Sequence, residues 1–339
     1  MARRIGNHTV WLEHSPSILG WAAAGSKKEA DGPLADQLDI CNPDSTFGEK
    51  TWEKAESRMQ REVVSKALTK CGLTSGQIDY IFAGDLLNQC ISSNYGLREL
   101  GIPFLGLYGA CSTMVESLSL AALLVEGGIA RHCAAATSSH FCSAERQFRF
   151  PLEYGGQRAP TCQWTVTGAG ACILGESSMP PYVRAVTIGT IEDLGINDMN
   201  NMGAAMAPAA MQTLCRFFAD TGTNADNYDA IFTGDLGWVG SQLLRRLMEE
   251  KGYQLGDRYQ DCGLMIYDRE TQQVDAGGSG CGCSAVVLCA EILQKIRAGS
   301  LREVLFIATG ALMSPISVQQ GETIPGIAHL VHLSNTPGC

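Results

Sequence analysis

Apolar positions along this chain follow two periods in turn, one helical and one short and continuous. Trp52, Ala55, Met59, Val63 and Ala67 fall at the three-to-four-residue spacing of a single helix face. Gly72 follows where a left-handed cap ends a helix, and after a turn Ile81-Phe82 sits in a short apolar strand. The same succession returns 150 residues later. Gly72 falls on Gly222, Asp79 on Asp229, Ile81-Phe82 on Ile231-Phe232 and Gly84-Asp85-Leu86 on Gly234-Asp235-Leu236, seven identities in fifteen ungapped positions. Such a match marks a duplicated supersecondary unit.

A second match needs a shift of 172. It places Cys111-Ser112 on Cys283-Ser284, Gly127 on Gly299 and Ala136-Thr137 on Ala308-Thr309. Each copy runs from a small-residue turn through an apolar helix (Ser117 to Val125, Ala285 to Ile296) to a Gly and an apolar strand (Cys133 to Thr137, Val304 to Thr309). The two shifts differ by 22 residues, so the second half carries an insertion. Leu264 to Tyr267, followed by the polar turn Asp268 to Gln273, predicts a hairpin there. Each half closes on a Gly-led apolar segment, Gly170 to Leu174 and Gly326 to Val331, and Met179-Pro180-Pro181 marks the division. The chain therefore reads as halves 1–179 and 180–339 of one compact unit. Duplicated alternation of strands and helices predicts an α/β fold, with two mixed sheets, helices packed on and between them, and central helices apolar all round. The helix N-termini at Cys111 and Cys283 are expected to face one shared crevice.

Composition narrows the function classes. The 339 residues are 45% hydrophobic and 18% charged, with a net charge of -10, a profile that excludes disordered and fibrous classes. The acidic balance and the lack of a large Lys/Arg cluster argue against nucleic acid and against an anionic membrane surface. Met1 to His8 has two arginines but no apolar run behind them, so no secretory signal is expected. The apolar stretches Leu118 to Val125 and Val304 to Met313 are far shorter than the roughly 20 residues that span a bilayer, so any membrane association is expected to be peripheral. The fourteen cysteines are then expected to be reduced thiols, mostly small buried hydrophobes.

Cys111 follows the strand-to-turn stretch Leu107 to Ala110 and precedes a helix, where backbone N–H groups and the helix dipole are expected to lower a thiol pKa. That is a nucleophile's position, and equally that of a small buried residue. Cys281-Gly282-Cys283 has no neighbouring His or second Cys pair to complete a zinc site. The run Gly277 to Gly280 lacks the Lys of a phosphate-binding loop and predicts close backbone packing instead.

Duplicated halves, with a Cys opening the central helix of the first, resemble the thiolase superfamily, which includes the ketoacyl synthases. The resemblance covers almost the whole chain and implies a thiolase-like, layered α-β-α-β-α fold. In active members the Cys works with a His, and with a second His or an Asn, from loops of the second half. Here the six histidines are His8, His14, His132, His140, His329 and His332, so residues 141 to 328 supply none. The corresponding loops read Thr233 to Trp238 and Gly277 to Cys283, neither with a base. Further phrases narrow the resemblance: Tyr108 to Thr113, Ala135 to His140, Ala144 to Arg149, Glu153 to Gln157, Asp261 to Gly263 and Ala276 to Ser284. In order and spacing they are similar to the stage V sporulation protein AD family of spore-forming bacteria.

That resemblance implies a binding protein for dipicolinic acid (pyridine-2,6-dicarboxylic acid). It also implies a place among the other stage V sporulation A channel proteins at the forespore or spore inner membrane, acting in uptake and in release at germination. Calcium is expected to accompany the ligand rather than bind the protein, no cofactor or protein-bound metal is implied, and a homodimer follows by analogy.

A small planar dianion calls for Arg, hydroxyls and backbone N–H groups around an aromatic-sized slot. Cys111 and Ser112 supply a helix N-terminus, Thr137, Ser139 and His140 a strand end, and Glu145, Arg146 and Arg149 the loop that follows. Arg146 and Arg149 serve equally well as surface partners of Glu145 and Glu153, and His140 as a structural residue. Asp235 ends its strand on the side where a synthase places its base, whereas its mate Asp85 reads as a turn or cap. Alternative readings are an acyl-transferring condensing enzyme with Cys111 as nucleophile and His140 as an unusual base, and a scaffold with a vestigial pocket.

Overall fold

The structure is a computed structural model that describes residues 2–148 and 158–338. Ten strands carry the fold, five from each half. The first half contributes β1 (Ser17–Ser26), β2 (Tyr80–Gly84), β3 (Phe104–Gly106), β4 (His132–Ser139) and β5 (Gly168–Gly175), in the order β3-β2-β4-β5-β1. The second contributes β6 (Tyr182–Thr187), β7 (Ala230–Thr233), β8 (Tyr259–Asp261), β9 (Glu303–Ala311) and β10 (Gly326–Ser334), in the matching order β8-β7-β9-β10-β6. In both sheets the three strands at one side are parallel and the other two antiparallel. Only Tyr182 and Ser17 pair directly between β6 and β1.

The helices repeat as closely. α1 (Trp52–Cys71) and α4 (Met202–Thr221) are both 20 residues long and lie 150 positions apart. Thr51 and Asn201 cap their first turns by accepting from the N–H three residues on, each at 3.3 Å. Gly72 and Gly222 end them in the left-handed region, at φ 71° and 67°. Asp79 and Asp229 then tie each strand to its neighbour. Asp79 accepts from Arg131 N at 2.7 Å, and Asp229 from Arg302 N at 2.6 Å.

Three apolar cores separate five layers. α1 packs outside the first sheet over Met59, Val63, Ile81 and Ile173. α4 and α5 (Gly237–Glu250) pack outside the second over Phe217, Phe218, Leu244 and Ile307. Between the sheets lie α2 (Thr113–Glu126) and α6 (Cys281–Val287), the latter running on through a π turn at Leu288–Ile292 into Leu293–Arg297. Every residue of α6 is buried, as expected of a central helix apolar all round. No helix among the described residues is long and apolar enough to cross a membrane.

The insertion is not a hairpin. Cys262–Met265 forms one helical turn, capped by Asp261, which accepts from Gly263 N at 3.0 Å. Beyond it Gln272 N donates to Asp268 O at 2.9 Å, and Lys28 Nζ pins the turn by donating to Gln272 O at 2.6 Å. Tyr267, expected on a strand, is buried and donates its hydroxyl to Glu29. Local turns and one buried side chain thus use the groups a strand pair would have needed.

α4 and α5 come into close backbone contact at Gly203 and Gly240. A Cβ on Gly203 would stand 2.4 Å from Leu236 O and 2.9 Å from Gly240 N. Gly203→Ala should therefore force the helices apart and destabilise the fold by about 1–3 kcal/mol. A urea titration should show a lower midpoint with an unchanged slope; an unmoved midpoint would mean that the contact is not tight.

Candidate functional site

The turn from β3 into α2 sets Cys111 between the two halves. Ala110 takes a positive φ of 49°. Ser112 N and Oγ both donate to Gly109 O, at 3.1 and 2.6 Å, and Thr113 N and Oγ1 both donate to Ala110 O, at 3.3 and 2.7 Å. These bonds close the turn, so the Ser112 hydroxyl and the first N–H groups, expected to floor an anion site, are spent on the backbone. Cys111 itself lines a crevice walled by Leu86, Tyr108, Phe148, Met202 and Met313, with Glu145, Thr165 and Ser279 as polar lining.

The second half meets Cys111 with a carboxylate. Asp235, fully buried at the end of β7, accepts from Gly280 N and Thr309 Oγ1, each at 2.9 Å, and from Ser279 Oγ at 3.3 Å. Burial pushes its pKa up to about 6, against the hydrogen bonds from Cys111 and these groups. Gly280 makes this approach possible at φ 102°, where a Cβ would stand 2.7 Å from Ser139 Oγ. The Cys111 thiol is raised well above its ordinary value, first by burial and then by the Asp235 charge. The expected lowering by the helix N-terminus is overturned, because desolvation in this closed floor outweighs the dipole. Cys281 packs beside Cys111, whereas Cys283 lies within α6 with its thiol toward Gly234 O at 3.5 Å.

Glu145, on α3 (Phe141–Phe148), is buried at the crevice edge and accepts from Thr165 Oγ1 at 3.1 Å. Arg158 holds it from the other side, with Nη1 and Nη2 at 3.3 and 3.4 Å from the carboxylate oxygens. Arg158 Nη2 also donates to Gln163 O at 2.6 Å, and the guanidinium lies 5.3 Å from the Trp164 ring centre. Arg158 stands in no motif, and nothing in the sequence singled it out.

The other expected residues are placed elsewhere. Thr137 Oγ1 donates to Gly84 O at 2.8 Å, and Ser139 Oγ donates to Val166 O at 2.7 Å while accepting from Gly282 N at 3.1 Å. Both hydroxyls join backbones under the crevice rather than line it. His140 is buried, with Nε2 at 2.8 Å from Ser45 O and Nδ1 accepting from Cys142 N at 3.2 Å. Burial lowers its pKa, and it lines a separate cleft with Lys28 and Trp164. With both nitrogens engaged, it is not placed as a base for Cys111. Arg146 pairs with Glu53 across Trp52, beside a third cleft at Asn88 and Gln147. Arg149 and Glu153 to Gln157 lie outside the described residues. No imidazole lines the crevice among the described residues.

Asp85 closes a turn, as expected, by accepting from Leu87 N at 2.9 Å and Ser93 N at 2.8 Å. Behind it lies Glu56, wholly buried, which accepts from Ser138 Oγ at 3.0 Å and Ser143 Oγ at 3.1 Å. Burial, and then the Asp85 charge, push Glu56 from 4.5 up to about 8.

Two predictions follow from these shifts. Iodoacetamide at neutral pH should label exposed Cys41 and leave Cys111 largely unmodified, and Asp235→Asn should speed Cys111 labelling by removing the charge that raises its pKa. Peptide mapping reads both rates; Cys111 labelling as fast as Cys41 would overturn the assignment of a suppressed thiolate. Glu56 keeps in the folded state a proton that the unfolded chain releases from about pH 4.5 upward. Stability should therefore fall as pH rises toward about 8, and Glu56→Gln should flatten that decline in thermal melts between pH 5 and 9. An unchanged slope would mean another group is responsible.

Comparison with known proteins agrees with this architecture. The family described as Stage V sporulation protein AD (SpoVAD) matches residues 6–334. Stage V sporulation protein AD of Bacillus subtilis (strain 168) is 46% identical over 333 residues, covering 98% of each chain. Among solved structures, 3-oxoacyl-[acyl-carrier-protein] synthase III from Aquifex aeolicus VF5 superposes with a TM-score of 0.58 at 13% identity, over 94% of this chain and 100% of that one. An OleA variant from Xanthomonas campestris gives 0.61 at 13% identity, over 96% and 99%. At that identity the likeness speaks for the thiolase-like fold alone. With nearly its whole length matched, the chain belongs to the stage V sporulation protein AD family.

Proposed function

We propose that the crevice at Cys111 binds dipicolinate, and that the chain serves the sporulation machinery that moves this ligand rather than turning over an acyl group. The observation that carries the proposal is the pairing of Cys111 with a buried carboxylate, Asp235, where a condensing enzyme needs an imidazole. A thiol raised by burial and faced by an acid is poorly suited to nucleophilic attack. The same crevice suits a flat ring, with Leu86, Phe148, Met202 and Met313 as apolar walls and the Thr165 and Ser279 hydroxyls between them.

Charge decides how the ligand is held. Glu145 and Asp235 repel a bare dianion, and Arg158 is the guanidinium at hand. A ligand carboxylate sharing Arg158 with Glu145 gains a charge-assisted bond, and calcium carried with the ligand cancels the repulsion. Binding is therefore expected to tighten with calcium, with the ion held chiefly by the ligand. The membrane-bound stage V sporulation A proteins are the partners this role requires.

Calorimetric titration with dipicolinate, with and without calcium, should show saturable binding that Arg158→Ala weakens about tenfold or more and Arg146→Ala leaves unchanged. No binding under either condition would overturn the proposal. The condensing-enzyme reading is kept by one feature, the Asp235 carboxylate that acts on the Cys111 thiol and offers a proton acceptor. Incubation with an acyl-CoA decides it: an acyl adduct in the intact mass that disappears in Cys111→Ala, with turnover, would favour the enzyme.

A further inference from the structure

A second, wider cleft opens at the other end of the second sheet. Glu303 at the start of β9 lines it, whereas Ala311 at the end of β9 lines the Cys111 crevice. At about 3.3 Å per residue the two sites are roughly 26 Å apart.

Its central feature is a cation with no close ion pair: Glu303 acts on Arg184 only at longer range, and no carboxylate among the described residues is paired with its guanidinium. Arg184 falls where the β6–β10 register slips between Val183 and Ala185, a bulge that turns its side chain out of the ladder. The guanidinium lies 4.9 Å over the Trp11 ring, and Nη1 donates to Thr336 O at 3.3 Å. Its Nε is buried and bonds nothing. A half-buried guanidinium with an orphaned N–H is costly, and an anion on its other nitrogens would offset part of that cost. The nearby carboxylate does not do so, because Glu303 is engaged by His332 Nε2 and by Ser334 Oγ. Arg3 lines the same cleft, and neither arginine forms an ion pair among the described residues.

The second observation concerns the backbone. Arg3 belongs to the short strand Arg3–Ile5, which pairs with Thr9–Trp11 on one side and with no strand on the other. A free strand edge is a template for an extended peptide, whose alternate side chains then fall on one face. Two arginines without a close ion pair beside such an edge favour acidic residues at those alternate positions. The cleft is also far larger and more open than the crevice, which fits a chain segment better than an enclosed small molecule.

We propose that this cleft docks an extended acidic peptide segment of another protein, its carboxylates meeting Arg184 and Arg3. The inference is independent of what the Cys111 crevice binds. A fluorescein-labelled peptide of alternating Asp and Val, titrated into the full chain and followed by anisotropy, tests it. Saturable binding is expected, weakening as salt is raised, and about tenfold or more weaker in Arg184→Ala. Arg3→Glu, on an exposed strand outside the packed core, should weaken binding at least as clearly, with an unchanged melting temperature as the control. The proposal is overturned if a Lys-and-Val peptide binds equally well, or if both arginine variants bind like the parent. It is also overturned if succinate displaces the probe as effectively as unlabelled peptide, since the site would then take free carboxylates rather than a chain.

Discussion

The molecule depends on two helices being held between its sheets, α6 buried on every side and α2 on all but the partly exposed stripe of Glu116, Leu120, Leu123 and Leu124. α2 and α6 lie between the sheets, and their residues fill the central core from Val115 and Leu118 to Val286 and Val287. Burial on that scale is the largest favourable term available to a chain of this size, and only a duplicated sheet can supply it from both faces. The crevice is a by-product of this arrangement. Where the helices begin, the strand ends of both halves converge, and any ionisable group placed there loses its water.

Loss of water explains the chemistry found there. Asp235, Glu56, Asp85 and the Cys111 thiol are all displaced toward their neutral forms, with burial the leading cause in each. Hydrogen bonds oppose the shift for the acids: Asp235 accepts from Gly280, Thr309 and Ser279, and Glu56 from two serines. The crevice floor is thereby fitted with buried acids, and the Cys111 thiol is held toward its protonated form. At the rim, the partly exposed Arg158 pairs with Glu145, which is itself buried.

Much of this was legible in the sequence, because duplication writes local rules twice. Gly72 and Gly222 predicted two helix ends, and both are left-handed caps. Asp85 predicted a turn, and the Gly277 to Gly280 run predicted close backbone packing. Tertiary contacts were harder to read. The Cys111 expectation used the helix dipole, a local effect, whereas burial depends on what the other half brings. Arg146 finds Glu53 on α1, 93 residues away, and Arg158 finds Glu145 across 13, so neither partner follows from spacing. His140 was placed correctly at a strand end, but its ring turns to Ser45, on a segment with no recognisable signal. The expected hairpin failed because Tyr267 finds Glu29, a contact with the opposite half.

The π turn at Leu288–Ile292 has a consequence for helical phase. Each residue advances a regular helix by about 100°, so one widened turn, holding an additional residue, rotates everything beyond it by that amount. Ahead of the turn α6 is buried on all sides and phase is irrelevant. Behind it the helix leaves the central layer, and Gln294, Lys295 and Arg297 must reach water while Leu293 and Ile296 stay inside. The turn also brings Cys289 to 3.8 Å from Cys172 on β5. Forcing the same residues into a regular helix would rotate the end by about 100° and point the charged positions of the last turn at the sheet, whereas deleting one residue together with the widened turn would keep their phase. The irregularity therefore acts as a rotary adjustment between a stretch that tolerates any orientation and one that tolerates only one.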